Sequence, residues 1–444
     1  MMNRIAILLG SLLLCVSGFS QQKDPDTDKV KALEQEIRLL NDAVKSLQKL
    51  KFSGYVQTQY QYAETDADGI SFNLPNRANE YEANALKSYG RFGVRRGRIK
   101  FIYEEKLMQG VFQLDITEKG VSLKDAFLAV RDPLFGTNIL QAGIFMRPFG
   151  HEISYSSSRR ESPERSRIVQ SLFPDMFDLG TMLTLQPAKT SPLNILKLEA
   201  AFVAGNGLRP QISSRMDFIG RLSVAKPLGS NTQFGLGVST YLGGVQQMDE
   251  RRYVMKDKQF TLESNTPDNI GRYAKRQYYG ADAQFSVTSI MGFTQLRGEY
   301  IFGVHPGNAN GAYAFKHTAL PQGPVYMRKI SGGYITLAQD FGATPLTFVG
   351  KYDWYNPNTE VSRNEIGVQG SGTGAGDISR YTVGLGILWR FNPSLRLTAY
   401  YDIVINERTV NLKDTKNERG DIIRYGYEGQ RKENVFTLRL QYRF

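Results

Sequence analysis

Residues 395–406 read Leu395-Arg396-Leu397-Thr398-Ala399-Tyr400-Tyr401-Asp402-Ile403-Val404-Ile405-Asn406. Leu395, Leu397, Ala399, Tyr401, Ile403 and Ile405 share one parity, and Arg396, Thr398, Tyr400, Asp402 and Asn406 share the other. Successive side chains of a strand point to opposite faces, so this pattern predicts a strand with one apolar and one polar face. The last segment repeats it, with Phe436, Leu438, Leu440, Tyr442 and Phe444 opposing Thr437, Arg439, Gln441 and Arg443. The period also begins at Lys51, where Phe52, Val56, Thr58, Tyr60 and Tyr62 oppose Ser53, Tyr55, Gln57, Gln59 and Gln61.

Working outward from these, sixteen segments alternate: 51–63, 91–104, 107–117, 121–132, 138–145, 179–187, 195–204, 217–226, 231–241, 275–289, 292–303, 328–340, 345–355, 379–391, 394–406 and 432–444. From the second segment on, every other connection is short, such as 105–106, 133–137, 290–291 and 392–393. The remaining ones are mostly long, including 64–90, 146–178, 242–274 and 407–431. An even strand number with short turns at one end and long loops at the other predicts an all-β chain, a transmembrane antiparallel β-barrel of the outer-membrane type. Closure pairs every backbone group, which strands need in order to cross lipid. A soluble sandwich gives no reason for the asymmetry, and nothing else in the chain covers sixteen apolar faces. Mean hydropathy of −0.35 and 22% charged residues exclude a bundle of membrane helices. Tyr 24 and Phe 25 suit rings placed at membrane interfaces.

The N-terminus reads differently. Arg4, the apolar run Ile5–Val16, and Gly18 and Ser20 ahead of Gln21 predict a signal peptide over 1–20. The one cysteine, Cys15, lies inside it, so the mature chain has neither a disulfide nor a thiol nucleophile. A lipoprotein reading of Leu12-Leu13-Leu14-Cys15 lacks the small residue it needs before the cysteine. Across 21–50, Val30, Leu33, Ile37, Leu40, Val44 and Leu47 step by 3, 4, 3, 4, 3, the a/d seam of a periplasmic coiled-coil helix. The competing reading is an amphipathic helix resting on its own domain. The barrel is expected over 51–444.

If the aliphatic parity faces lipid, Arg96, Arg98 and Lys100 form a ladder on the lumen side of the second strand. The same parity adds Arg131, Arg221, Arg297, Lys351, Arg380, Arg390, Arg396, Arg439 and Arg443, against Asp115, Asp125, Asp282, Glu299, Asp353 and Asp402. Twelve cations facing six anions predict a lower barrier for anions, since arginine stays charged and offers a planar fork to phosphate or carboxylate. Wall-bracing salt bridges are the alternative use of these residues. The connection 146–178 adds Arg147, Arg159, Arg160, Arg165 and Arg167. Folded inward it narrows the lumen, and folded outward it is an exposed basic lid.

Val94-Arg95-Arg96-Gly97-Arg98-Ile99-Lys100-Phe101, Leu114-Asp115-Ile116-Thr117-Glu118, Leu123-Lys124-Asp125-Ala126-Phe127 and Ala142-Gly143-Ile144-Phe145-Met146-Arg147-Pro148-Phe149-Gly150-His151-Glu152 resemble the phosphate-selective porin O and P family over about residues 91–180. The resemblance implies a sixteen-stranded trimeric outer-membrane porin, a third loop that forms the constriction, and lumen arginines that pass phosphate-like anions. On it alone, Arg96, Arg98, Arg147, Arg159, Arg160 and Arg165 are candidate anion contacts. The sequence departs from the phosphate-specific members in lacking a recognisable periplasm-facing lysine cluster.

Other chemistry is weakly signalled. His151 beside Ser154, Ser156 and Ser157 suggests a hydrolase only by proximity in sequence. No histidine pair has metal-ligand spacing, and no cofactor, enzyme activity or nucleic-acid partner is expected. The reading is an outer-membrane porin of a diderm bacterium, passing small hydrophilic solutes and preferring anions such as phosphate, in contact with outer-membrane lipid and assembled as a homotrimer. The alternative is a structural or adhesive barrel linking the envelope through its N-terminal helix.

Overall fold

A computed structural model describes residues 25–65, 67, 89–209, 214–309 and 323–444. The signal peptide over 1–20 and Cys15 lie outside the described residues, as does most of the connection 64–90. The chain divides into two units, Met1–Leu50 and Lys51–Phe444. The first holds the helix α1, Pro25–Gln48. Its seam residues Val30, Leu33, Ile37, Leu40 and Val44 are all exposed.

In the second unit, alternation produces the strands β1 (Leu50–Ala63), β2 (Tyr89–Glu105), β3 (Met108–Thr117), β4 (Gly120–Arg131), β5 (Ile139–Met146), β6 (Phe177–Leu185), β7 (Leu196–Val203), β8 (Asp217–Pro227) and β9 (Thr232–Gln246). A loop hairpin, β10 (Arg251–Lys256) and β11 (Gln259–Asn265), precedes β12 (Tyr273–Ser289), β13 (Gly292–Gly307), β14 (Val325–Asp340), β15 (Leu346–Asn356), β16 (Arg380–Arg390) and β17 (Leu395–Asn406). A second loop hairpin, β18 (Thr415–Lys416) and β19 (Ile422–Arg424), leads to β20 (Val435–Arg443). Setting the two hairpins aside, sixteen strands among the described residues form the wall. Each expected segment corresponds to one of them. The first and last strands pair antiparallel from Tyr55 with Arg443 to Ala63 with Val435, which closes the barrel.

Alternation sets the faces. In β9, Leu236, Val238 and Leu242 are exposed while Ser239 and Tyr241 are buried. Aromatic rings gather outside in two groups. At the turn end Phe52 lies 5.4 Å from Phe101 and 5.5 Å from Phe444. Further along the strands, Tyr300 and Trp354 stack at 6.4 Å beside Tyr279 and Phe302. Two aromatic girdles around an apolar band are the outer surface of a transmembrane barrel.

The short turns have local causes. The carboxylate of Asp132 accepts the backbone N–H groups of Phe135 at 2.6 Å, Asn138 at 2.8 Å and Leu134 at 3.0 Å. Those bonds, led by the one from Phe135, hold it below the usual carboxylate range.

The inner face is not uniformly polar. Met182, Ala201, Val203, Ile219, Tyr241, Tyr278, Ile301, Ile330 and Tyr355 point inward and are buried in a core with Phe149, Ile153, Ile168, Val169, Leu172 and Phe173 of the β5–β6 connection. The lumen expected to pass small hydrophilic solutes is therefore narrowed, because part of the interior is packed side chain.

Candidate functional site

The connection between β5 and β6, residues 147–176, folds into the barrel. Pro148 has no N–H to donate, so the ladder stops after Met146. Gly150 then turns the chain at φ +63°, where a Cβ would strike the Glu299 carboxylate. A side chain at that position would hold the loop off the wall. Gly150 N donates to Ser239 Oγ at 3.0 Å, and the N–H groups of His151 and Glu152 donate to Glu299 Oε2 at 3.0 and 2.9 Å.

Two short helices, His151–Ser154 and Arg167–Leu172, are braced against each other. The Arg165 guanidinium donates to the carbonyls of Glu152, Ile153 and Tyr155 at 2.9 to 3.2 Å, satisfying the end of the first helix. The Glu152 carboxylate accepts Ser166 N at 3.0 Å and Ser166 Oγ at 2.5 Å, at the start of the second. One side of the loop is anchored by the apolar core. The other reaches across the lumen.

That far side meets strands around much of the wall. Tyr55 of β1 bonds Ser157 Oγ at 2.5 Å, and Gln57 donates to the Ser157 carbonyl at 3.0 Å. Gln441 of β20 donates to the Ser158 carbonyl at 3.0 Å, and Arg396 of β17 to that of Arg160 at 2.7 Å. Arg297 of β13 pairs with Glu161. Lys351 and Asp353 of β15 meet the Glu164 carbonyl and Arg167 N, both at 3.3 Å.

Glu164 is the hub. Its carboxylate takes a two-pronged contact from Arg95 at 2.7 Å on each oxygen, and a bond from Arg439 at 2.9 Å. Arg96 stands 3.9 Å away and donates to Gln57 Oε1 at 3.1 Å. Arg439 also donates to Gln59 and to the Pro163 carbonyl.

The expected residues separate into groups. Arg96, Arg98, Arg160 and Arg439 are buried in the lumen, with Arg98 on Asp115 at 3.5 Å. Lys100 is partly exposed and pairs with Asp125 at 3.4 Å. Arg147 and Arg165 are taken up by protein oxygens, Arg147 by Asp178 at 2.6 Å and Arg165 by the helix carbonyls. Arg167 is buried in the second helix. Arg159 is exposed and makes no ion pair among the described residues. Arg443 is exposed at the turn-end rim.

Two lumen cations escaped the parity rule. Alternation puts Arg95 outside, yet it reaches Glu164 together with its neighbour Arg96. Lys124 follows a register shift opposite Phe112–Leu114 and lies 5.9 Å from the buried Phe177 ring, which Arg98 faces at 5.6 Å. An irregular strand re-aims side chains. The charge balance also differs from the wall count, because Glu152, Glu161 and Glu164 enter the lumen with the loop. The hydrolase arrangement is not formed. Ser154 Oγ bonds the carbonyls of Gly150 and His151, Ser156 bonds Ser158, and Ser157 bonds Tyr55.

No protein-family model matches the chain. No curated protein matches it either. Among solved structures, the outer membrane channel DcaP of Acinetobacter baumannii superimposes with a TM-score of 0.50 at 10% identity, covering 89% of this chain and 97% of that one. OmpF of Salmonella typhi, in complex with daunomycin, gives a TM-score of 0.50 at 11% identity with the same coverage. At such identities the likeness concerns the fold, and the chain has the sixteen-stranded barrel fold of bacterial outer-membrane channels.

Proposed function

We propose that this chain is a non-enzymatic outer-membrane porin of a diderm bacterium, a passive diffusion channel that prefers small anions such as phosphate. The observation that carries the reading is an arginine-bearing loop folded across the lumen of a closed barrel. The fold shared with DcaP and OmpF supports the channel, and the resemblance to the porin O and P family supports the anion preference. Around Glu164 three guanidiniums face one carboxylate, a local excess of two charges. Two charges at about 8 Å in a water-like dielectric are worth about 1 kcal/mol, roughly a fivefold preference for an anion. An apolar outer surface places the barrel in lipid, and residues 1–20 serve as its signal peptide.

Purified protein in planar bilayers should show stepwise conductance, and a folded protein without any would discard the channel. Arg96→Glu with Arg98→Glu should move the reversal potential in a potassium chloride gradient toward cations by more than 10 mV, on the order of what reversing a few lumen charges does to ion barriers. An unmoved potential would place both side chains off the permeation path.

The exposed a/d seam of α1 supports self-association held partly by this helix, since a narrow apolar stripe calls for a partner helix, while a homotrimer follows from the family resemblance. Deleting residues 26–49 should leave the barrel inserted and reduce the oligomer band on mildly denaturing gels. An unchanged oligomer would give the helix another task. The same seam favours the second reading, a structural barrel tethering the envelope, which the absence of conductance would select.

A further inference from the structure

We infer that Glu164 is a resident, tethered anion occupying an arginine cage, so that a permeating oxyanion binds by displacing it. This deepens the proposed function and rests on it. The cage is built from separate elements: Arg95 and Arg96 on β2, Arg439 on β20, and Arg160 on the loop itself. The grip on Glu164 is the one a free oxyanion would receive. Arg95 makes a forked contact at 2.7 Å to both oxygens, and Arg439 adds a third bond at 2.9 Å. Forked guanidinium contacts of this kind recognise carboxylate and phosphate alike.

Three further observations separate the cage from an ordinary ion pair. Arg96 points at the same carboxylate from 3.9 Å, near enough for attraction and too far for a hydrogen bond, so its charge is only partly matched. Arg160 is 96% buried by its 4% exposure, bonds the carbonyls of Ser162 and Pro163, and keeps Nη1 without a hydrogen-bond partner among the described residues. It shares the Pro163 carbonyl, next to Glu164, with Arg439. Three guanidiniums thus meet one carboxylate with a fourth beside it at the Pro163 carbonyl, and a ligand carrying two negative charges neutralises them better than Glu164 does.

Glu164 sits between Pro163 and Arg165, and its backbone is held through the Pro163 and Glu164 carbonyls by Arg439 and Lys351, so withdrawal is a rotation of its side chain. A tethered group competes with a free ligand at an effective concentration in the millimolar range or above. The cage is available to solute only in the fraction of time that Glu164 is withdrawn, and apparent affinity falls by that fraction. The loop thereby keeps a strong anion site from trapping its solute, which a channel needs for throughput.

The experiment measures block of chloride current by inorganic phosphate across planar bilayers holding the full-length protein. In Glu164→Gln the phosphate concentration for half block should fall at least about fivefold, the factor expected when a competing charge leaves the cage. Glu161→Gln, which removes an equal lumen charge from the Arg297 pair, should shift it less than half as far on a logarithmic scale. Equal shifts in the two variants, or an unchanged half-block in Glu164→Gln, would overturn the cage. Glu164→Asp keeps the loop charge but shortens the side chain by one methylene. It should give an intermediate fall, and it decides the matter should Glu164→Gln fail to insert; no fall in Glu164→Asp would then overturn the cage. Wild-type protein that passes no current at all would instead refute the channel reading. An intact chloride current with unaltered block refutes only the inference made here.

Discussion

Replacing residues 156–164 by Gly-Gly-Ser raises single-channel conductance at least about twofold and keeps the preference for anions, as expected when a polar obstruction without net charge leaves a lumen of this width and the wall arginines remain. The excised stretch supplies the contacts to Gln57, Arg396, Gln441 and Arg439, and it includes Arg159, Arg160, Glu161 and Glu164. The cut is local. Arg165 already reaches the Tyr155 carbonyl at 3.2 Å, so the flanks are close, and three residues span at most about 10 Å. The remainder keeps its anchor, because Phe149, Ile153, Ile168 and Phe173 are buried in the inner core. Single-channel recording in symmetrical potassium chloride checks the result. An unchanged step size would show that the excised segment is not the narrow point.

Val238→Arg destabilises the barrel by about 2–4 kcal/mol, the cost of an arginine on the lipid face near the bilayer midplane. Val238 is 56% exposed in the middle of β9, flanked by Leu222 of β8 and Ala281 of β12. Its side chain has hydrocarbon to face, not water. Gln295→Arg, on the inward parity of β13 in a vestibule of about 410 Å³ with His151, Gln233, Gln284 and Ser286, changes stability by no more than about 0.5 kcal/mol. Urea titration of protein folded into liposomes compares the two. A reversed order of losses would mean that the outer and inner faces had been exchanged, since a one-residue slip flips every side chain.

That contrast also indicates how far the sequence was legible. Strand positions and faces followed from a period of two, which the pleat imposes on each segment locally. Leu236, Val238 and Leu242 outside and Arg221, Asp282 and Glu299 inside needed no knowledge of neighbours. The exceptions arise where the pleat is interrupted. Arg95 reaches the inward-folded loop from the outward parity of β2, and Lys124 turns inward at the register shift between β3 and β4, which no parity rule anticipates. The hairpins β10–β11 and β18–β19 were hidden in connections read as loops, because short paired segments there do not sustain alternation.

The candidate site was legible as composition and not as geometry. The arginines of 147–167 were visible, but the loop's partners come from strands up to 283 residues away, as with Gln441 and the Ser158 carbonyl. Arg147 and Arg165 look equivalent to Arg160 in the sequence, and only the fold commits them to Asp178 and to helix carbonyls. The apolar inner residues Tyr241, Tyr278, Ile301 and Ile330 were equally silent, since a buried side chain reads alike whether it packs on lipid, wall or loop.

By itself the sequence determined a closed sixteen-stranded wall and which parity meets lipid, because alternation is a property of consecutive residues. Only the tertiary structure decided that the third long loop turns inward and that Glu164 gathers Arg95, Arg96 and Arg439. Closing the barrel brings β2 and β20 to the same side of the lumen, and charges that distant along the chain interact only after closure.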